Sequence, residues 1–467
     1  MYSLVRSRPL AVAIRGTIST MTVFGALVAC SSEPTTVTSP TALNDRTSKH
    51  IACDPDNAEL TLPPGFCALV YADLTMDGKA AAARHMAITP NGNVFVAINS
   101  PNNVNPSFGI VALRDRDGDG RADEQMQFSP GLGGSGIAWA DGTLYFGAND
   151  RVLRFQLGGG DLMPSGAPEV VVSGLPNNGD HISKTVVIGE NHRLFVNLGS
   201  SSNSCQVQNR VAQSPGIFPC PDLPIRAGVW TFDARGTNQT EAMGQHYATG
   251  YRNLVALALN PRSGALYGVQ HGRDMLFDNW PQFFTIDKDT IVPAEEFVRI
   301  GQGSNNGWPY CFFDAVLEKK KVLAPEYGGD GHIVKGGANN IDCSQFNQPF
   351  EAFGAHWAPN GLAFYTGKQF PEHYRDGAFV AFHGGFDRAP FPNEGFQVDF
   401  VPFDHSGNPS GHQEVFANGF AGSGAVLPAT AKHRPVGVTV GPDGSLFVSD
   451  DRGGRIYRIL YVGRGND

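Results

Sequence analysis

An aspartate-histidine pair, Asp180-His181, stands in "PNNGDHISKTVVIGENHRLFVNLGSSSN" (176–203), directly ahead of an apolar run. Imidazole titrates near neutral pH, and a neighbouring carboxylate can hold one tautomer and stabilise the protonated ring. That is the equipment of a general base. The bland alternative is a surface turn with a capping aspartate. Arg252, Arg388 and Arg434 each lie where a loop meets an apolar run. Guanidinium forks pair two-by-two with carboxylates; singly each is a solvated charge, but three at equivalent junctions in an acidic chain point to function. Trp308, in "NNGWPYC", offers a flat face for stacking or for packing. Asp115, Asp117, Asp119 and Asp123 in "DRDGDGRADE" have calcium-loop spacing with Gly120 at the turn, but position twelve is Met126 and not a bidentate glutamate. A weak structural ion site and a solvated acidic turn both stay open there. The "GQGSNNG" stretch is one residue too long for a dinucleotide loop and has no βαβ setting. There is no GxSxG elbow and no HExxH pair.

These residues need a scaffold that brings distant segments together, and the chain supplies a repeat. A short apolar strand, a tight turn and a second apolar strand recur as "HMAITPNGNVFVAI" (85–98), "GIAWADGTLYFGA" (136–148) and "TVVIGENHRLFVNL" (185–198). They return as "LVALALNPRSGALYGV" (254–269), "GLAFYTGKQFPEHYRDGAFVAF" (361–382) and "PVGVTVGPDGSLFVSD" (435–450). Asn-Gly and Asp-Gly between apolar runs signal hairpins, because both turn residues are expected at positive φ. The turns at 92, 142 and 192 are fifty residues apart. A hairpin repeated at this period marks a β-propeller blade, so six copies predict an all-β, six-bladed β-propeller over residues 56–467. The 113-residue interval from Gly264 to Gly377 is read as an insertion carrying binding loops. Ring closure predicts that the terminal "GGRIYRILY" strand pairs with early chain, with "PGFCALVYA" as the candidate.

Composition agrees. The 467 residues include 57 Gly, 32 Pro and 31 Phe, which suits a turn-rich β protein. The net charge of −9, without a long basic run, excludes an electrostatic nucleic-acid binder and electrostatic docking on anionic membranes. Residues 1–29 read as a signal peptide: Arg6, Arg8 and Arg15, then the apolar run Thr17 to Ala29, too short to span a bilayer. It ends in "LVAC", which resembles a bacterial lipoprotein box with lipidation at Cys30. Residues 30–55, rich in Ser, Thr and Pro at the start, would be the lipid-anchored flexible tether. Ser31 after the cysteine points to the outer membrane, on its periplasmic face or at the cell surface. The other six cysteines form no CxxC pair, and export favours disulfides. Sequence-adjacent pairing, Cys53–Cys67, Cys205–Cys220 and Cys311–Cys343, is the expectation among fifteen connectivities.

"GDHISKTVVIGENHRLFVNLGSSSN" resembles the segment holding the catalytic histidine in soluble sugar dehydrogenases that use pyrroloquinoline quinone (PQQ), the glucose/sorbosone type. The likeness continues through "TGYRNLVALALNPRSGALYGV", "NNGWPYC", "HWAPNGLAFY" and "FHGGFDRAP" to "RPVGVTVGPDGSLFVSDDRGGRIYRI". It implies that His181 takes the proton of a sugar's C1 hydroxyl while hydride passes to the quinone, with Asp180 orienting the imidazole. Arg252 would polarise the reacting quinone carbonyl with Asn253 nearby, and Trp308 would stack beside cofactor or substrate. Arg388 and Arg434 would hold the PQQ carboxylates. A Ca2+ ion bound by backbone carbonyls is implied near Gly272 and Arg273 in "VQHGRDML", although the family's Gly-Pro is missing there. Where sorbosone-like relatives tend to carry Pro-His-Gly, this chain has Gly134-Ser135-Gly136, which leaves the sugar's identity open. The implied electron acceptor is a periplasmic cytochrome or a dye. The competing expectations are a propeller lactonase, with carboxylates and Asn in place of arginines, and a non-catalytic ligand-binding propeller.

Overall fold

In the computed structural model the hairpin turns behave largely as their residues require. Asp141 and Gly142 both take positive φ, 49° and 77°, as do Asn191 and His192 at 54° and 58°. At Asn91-Gly92 only the glycine does, at 88°, so that turn bends with one left-handed residue and not two. The structure describes residues 51–463 except 77, 100–108, 130, 159, 386, 389 and 424–429. The signal segment, Cys30 and most of the tether lie outside the described residues.

The hairpins grow into six antiparallel sheets of four strands, the second extended by the short parallel strand Gln239–Thr240. In chain order the blades begin with Ala83–Ile88, Gly134–Ala140, Val186–Ile188, Ala256–Leu259, Pro359–Phe364 and Pro435–Val440. Each of these strands touches the next and the last touches the first, so they form the inner wall of a closed six-bladed ring. Backbones approach closely at the seams. A Cβ on Gly136 would lie 2.1 Å from the Lys184 carbonyl oxygen, and one on Gly361 2.2 Å from that of Val436. Only glycine fits at such a crossing.

The core is divided among the seams. Phe95, Phe146 and Phe155 pack between the first and second blades, and Phe66, Phe379, Phe400 and Tyr457 between the fifth and sixth. Phe66–Asp73 pairs antiparallel with Arg455–Tyr461, so early chain supplies the outer strand of the last blade. Residues 51–55, grouped with the tether on sequence, are fastened here: Cys53 is bonded to Cys67, and the Asp54 carboxylate accepts the Val70 N–H at 2.8 Å.

The long interval after Gly264 hides no seventh blade. It holds the fourth blade's Glu295–Ile300 and Glu351–Phe353 together with insertions 271–294 and 301–350. A third insertion, 199–227, leaves the third blade between Arg193–Leu198 and Gly228–Asp233. All three share one apolar cluster containing Leu276, Trp280, Trp308, Tyr310 and Tyr327, together with the Cys205–Cys220 and Cys311–Cys343 disulfides. This lobe stands at the end of the ring where the inner strands start.

Candidate active site

Residues at or just before the start of the inner strands, and at or just past the end of the strands that follow them, converge on one cavity of about 500 Å3. The first blade sends Arg84 and Asn99, the sixth Arg434 and Asp451, and the fifth Asn360 and His383. The third and fourth bring His181, Arg252, Asn253, His271, Gly272 and Asp274, with Arg210 reaching in from the 199–227 insertion.

His181 is fixed by Ser200 and not by Asp180. Its Nδ1 lies 2.9 Å from Ser200 Oγ and 3.1 Å from the Ser200 carbonyl oxygen. A carbonyl only accepts, and Ser200 Oγ gives its hydrogen to the Ser202 carbonyl at 2.7 Å. Nδ1 therefore carries the proton, and Nε2 of the neutral ring is left with a lone pair. Burial, then the charge of Arg252 and the neighbouring His271, holds the imidazole well below its usual pKa, so it is neutral at pH 7. Asp180 is exposed, and its carboxylate accepts from Arg210 Nε at 3.0 Å and Asn209 Nδ2 at 3.2 Å. The orienting role that the sequence suggested for Asp180 falls to a hydroxyl and a carbonyl on the next strand's end.

Arg252, 3% exposed, is set by Asp274 and Asn203. Its Nη2 donates to Asp274 Oδ2 at 2.7 Å and Asn203 Oδ1 at 2.9 Å, and its Nε to the Asn203 carbonyl at 3.1 Å. Trp308 does not reach the cavity. Its indole N–H donates to the same Asn203 carbonyl at 3.0 Å from inside the lobe, so it props the residue that holds Arg252. Asp274 also takes Arg210 Nη2 at 3.1 Å and lies 3.9 Å from His356 Nδ1. Burial opposes a charge on Asp274, but Arg252, His356 and Arg210 together keep its carboxyl well below the usual range. His356 is pushed up to about 9: burial opposes its charge, and Asp274 and Asp289 more than offset that.

Across the cavity, Asp451 accepts Arg84 Nη1 at 2.6 Å and faces His383 Nε2 at 2.8 Å. Arg434 donates to the His383 and Gly384 carbonyls at 2.9 and 2.6 Å. Arg388 is elsewhere. Five residues past the end of Ala378–His383, it runs out over the 271–294 insertion and donates to the Thr290 carbonyl at 2.7 Å and Glu394 at 2.8 Å. Arg84 stands in the cavity where Arg388 was expected. It is the second residue of the inner strand Ala83–Ile88, whereas Arg434 stands just before Pro435–Val440, so the two enter from the same end of the ring without sharing a register.

Gly272 lines the cavity, and its N–H donates to Glu295 at 2.7 Å. Arg273 turns into the lobe and pairs with Glu326 at 2.5 Å. Neither the Gly272 nor the Arg273 carbonyl accepts a hydrogen bond among the described residues. Asp274, His356 and Asp387, which sequence reading passed over, bring ligand atoms within 4.8 Å of one another beside them. The acidic loop is remote, between Gly109–Arg114 and Glu124–Phe128 on the first blade. Asp115, Asp117 and Asp119 cluster there, while Asp123 instead accepts the Arg116 and Asp117 N–H groups.

A family model described as TrAA12-like matches residues 70–461. An uncharacterized protein of Borreliella burgdorferi is 28% identical over 62% of this chain and 63% of its own. A pyrroloquinoline quinone-dependent sugar dehydrogenase of Hypocrea jecorina is 24% identical over 62% of this chain and 64% of its own. The matched region thus spans somewhat under two thirds of each relative's length. Among solved structures, the calcium structure of Trichoderma reesei Carbohydrate-Active Enzymes Family AA12 superposes with a TM-score of 0.66 at 19% identity, covering 88% of this chain and 100% of that one. The holo form of the pyranose dehydrogenase PQQ domain from Coprinopsis cinerea gives 0.65 at 17%, covering 86% and 97%. Both share the fold.

Proposed function

The chain belongs to the TrAA12-like family, and from that premise we propose that it is a PQQ-dependent oxidoreductase acting on a sugar at its C1 hydroxyl or aldehyde. One observation carries the reading: a neutral imidazole with a free Nε2 lone pair shares a cavity of about 500 Å3 with Arg84, Arg252 and Arg434. The donor set fits a planar tricarboxylate. Arg434 binds only carbonyl oxygens, so its charge is open to a carboxylate ligand; Arg84 shares its charge with Asp451 at 2.6 Å but keeps Nε without a partner. The unengaged carbonyls of Gly272 and Arg273 are oxygen donors of the kind Ca2+ takes.

When bound, the quinone supplies the hydride acceptor. His181 Nε2 removes the hydroxyl proton, and the Ser200 carbonyl, bonded to Nδ1–H, stabilises the imidazolium that results. Burial first and then the charge of Arg252 keep the resting ring unprotonated, and Arg252, held by Asp274, presents a fixed positive charge where oxyanion character develops. Reducing equivalents then leave for an external acceptor such as a periplasmic cytochrome, and the glucose/sorbosone type of substrate is part of the same proposal.

The test is reconstitution of apo-protein with PQQ and Ca2+, followed by an aldose panel with an artificial acceptor. Quinone uptake with PQQ-dependent turnover supports the proposal. Turnover without PQQ, or no uptake, overturns it. His181→Ala should keep PQQ and lose about 10²–10⁴-fold in kcat.

A further inference from the structure

A groove of about 390 Å3 lies between the first and second blades, lined by the hairpin turns at Thr89–Asn93 and Asp141-Gly142 and by Gly158, Gly160 and Asp161. The catalytic cavity gathers residues from where the inner strands start, and these turns are where inner strands end. A six-residue strand at ~3.3 Å per residue puts the two sites roughly 20 Å apart. The groove is thus separate from the cavity described above.

Its walls combine an aromatic platform with short polar side chains. Trp139 is half-buried, packed on the apolar cluster between the two blades, and borders the groove. Its indole N–H has no hydrogen-bond partner among the described residues. Asn91 is exposed; its Oδ1 accepts from Thr89 Oγ1 at 2.5 Å, which leaves the amide N–H groups to face outward. Among the described residues the Asp141 carboxylate forms an ion pair only with His192, at 3.7 Å, and that of Asp161 is exposed.

The floor is built, not incidental. Asn93, 2% exposed, donates to the Gly160 and Asp161 carbonyls, both at 3.4 Å, and accepts from Arg114 Nε at 3.0 Å. Arg114, half-buried, also bonds the Gly160 carbonyl, so an asparagine and an arginine of the first blade hold a loop of the second. This cross-blade clamp shapes the groove and does nothing for the catalytic cavity.

We propose that this groove is a second, non-catalytic carbohydrate-binding site. A pyranose presents an apolar face of C–H groups, which suits the indole, and a rim of vicinal hydroxyls that donate and accept together. The indole and Asn91 N–H groups supply donors, and Asp141 and Asp161 supply acceptors. Two carboxylates repel acidic sugars, so the ligand class is a neutral saccharide chain. Such a site would keep the enzyme on a polymer while the opposite end of the ring works on small sugars. Saccharide binding in the groove does not depend on the quinone reading; its use in holding the enzyme on a polymer rests on it.

Native electrophoresis in gels containing hydroxyethylcellulose, xylan, mannan, laminarin or polygalacturonate tests it. Wild-type protein should be retarded by at least one neutral polymer and not by polygalacturonate. Trp139→Ala should weaken that retardation roughly tenfold, the scale of an aromatic contact. Asn91→Ala, a surface change, should weaken it too, and covers the case in which Trp139→Ala does not fold. Both folded variants should oxidise monosaccharides like wild type. Absence of retardation by every neutral polymer, or retardation unchanged in either folded variant, overturns the proposal.

Discussion

His181 shows how a base can be prepared without a carboxylate at its back. Ser200 accepts from Nδ1 twice, through its carbonyl and its hydroxyl, and burial together with the charge of Arg252 keeps the ring neutral. Ser200→Ala removes one of two acceptors and should lower kcat about tenfold with PQQ binding retained, whereas Asp180→Asn should change kcat less than twofold. Equal losses would return Asp180 to the machinery. A parallel contrast separates the arginines. Arg84→Ala should weaken PQQ affinity about tenfold or more, while Arg388→Ala, whose guanidinium is occupied by Thr290 and Glu394, should leave it unchanged in a quinone titration. The histidine and two of the three arginines were legible because each directly precedes an apolar run, and propeller geometry brings such positions together. Arg388 misled because a junction five residues beyond a strand end has no fixed direction. Asp274 and His356 were invisible as a pair because their meeting depends on insertions with no repeat to predict their path.

At the level of elements, strands and turns were readable because their determinants are local: period-two apolar runs and residues that tolerate positive φ. The closing strand is the clearest instance, since an unpaired apolar edge had to find a partner. Phe66, on that strand, sits among Phe370, Tyr374, Phe416 and Tyr461 at centroid distances from 4.7 to 5.2 Å. Phe66→Ala should therefore cost about 3–5 kcal/mol in denaturant unfolding and loosen the seam between the fifth and sixth blades before the others. A uniform loss of amide protection around the ring would contradict a seam-by-seam core. The insertion lobe was only partly legible. Its disulfides follow sequence adjacency, but Trp308 read equally well as a stacking face or as packing, and only its bond to Asn203 decides between them.

For the whole molecule, a lipid anchor and a buried charge would each have consequences measurable in bulk. Lipidation at Cys30 is proposed from the "LVAC" run; Cys30→Ala should move the protein from the membrane fraction to the soluble one, and an unchanged distribution would refute the anchor. The charge is internal. His356 is buried where insertion and ring meet, with Nε2–H donating to the Asp289 carbonyl at 2.7 Å and Asp274 on its other side. Its pKa is raised to about 9 from an ordinary 6.5, so the folded protein holds this proton more tightly than the unfolded chain does. The stabilisation is complete below pH 6.5 and is lost as pH rises through 9. The gap between those pKa values corresponds to something on the order of 3 kcal/mol. His356→Gln cannot titrate, so the stability difference between wild type and variant should shrink steadily from pH 6.5 to 9 in urea titrations. A difference that stays constant over that window would mean His356 is neutral in the fold, and that Arg252 and Arg210 alone keep Asp274 charged.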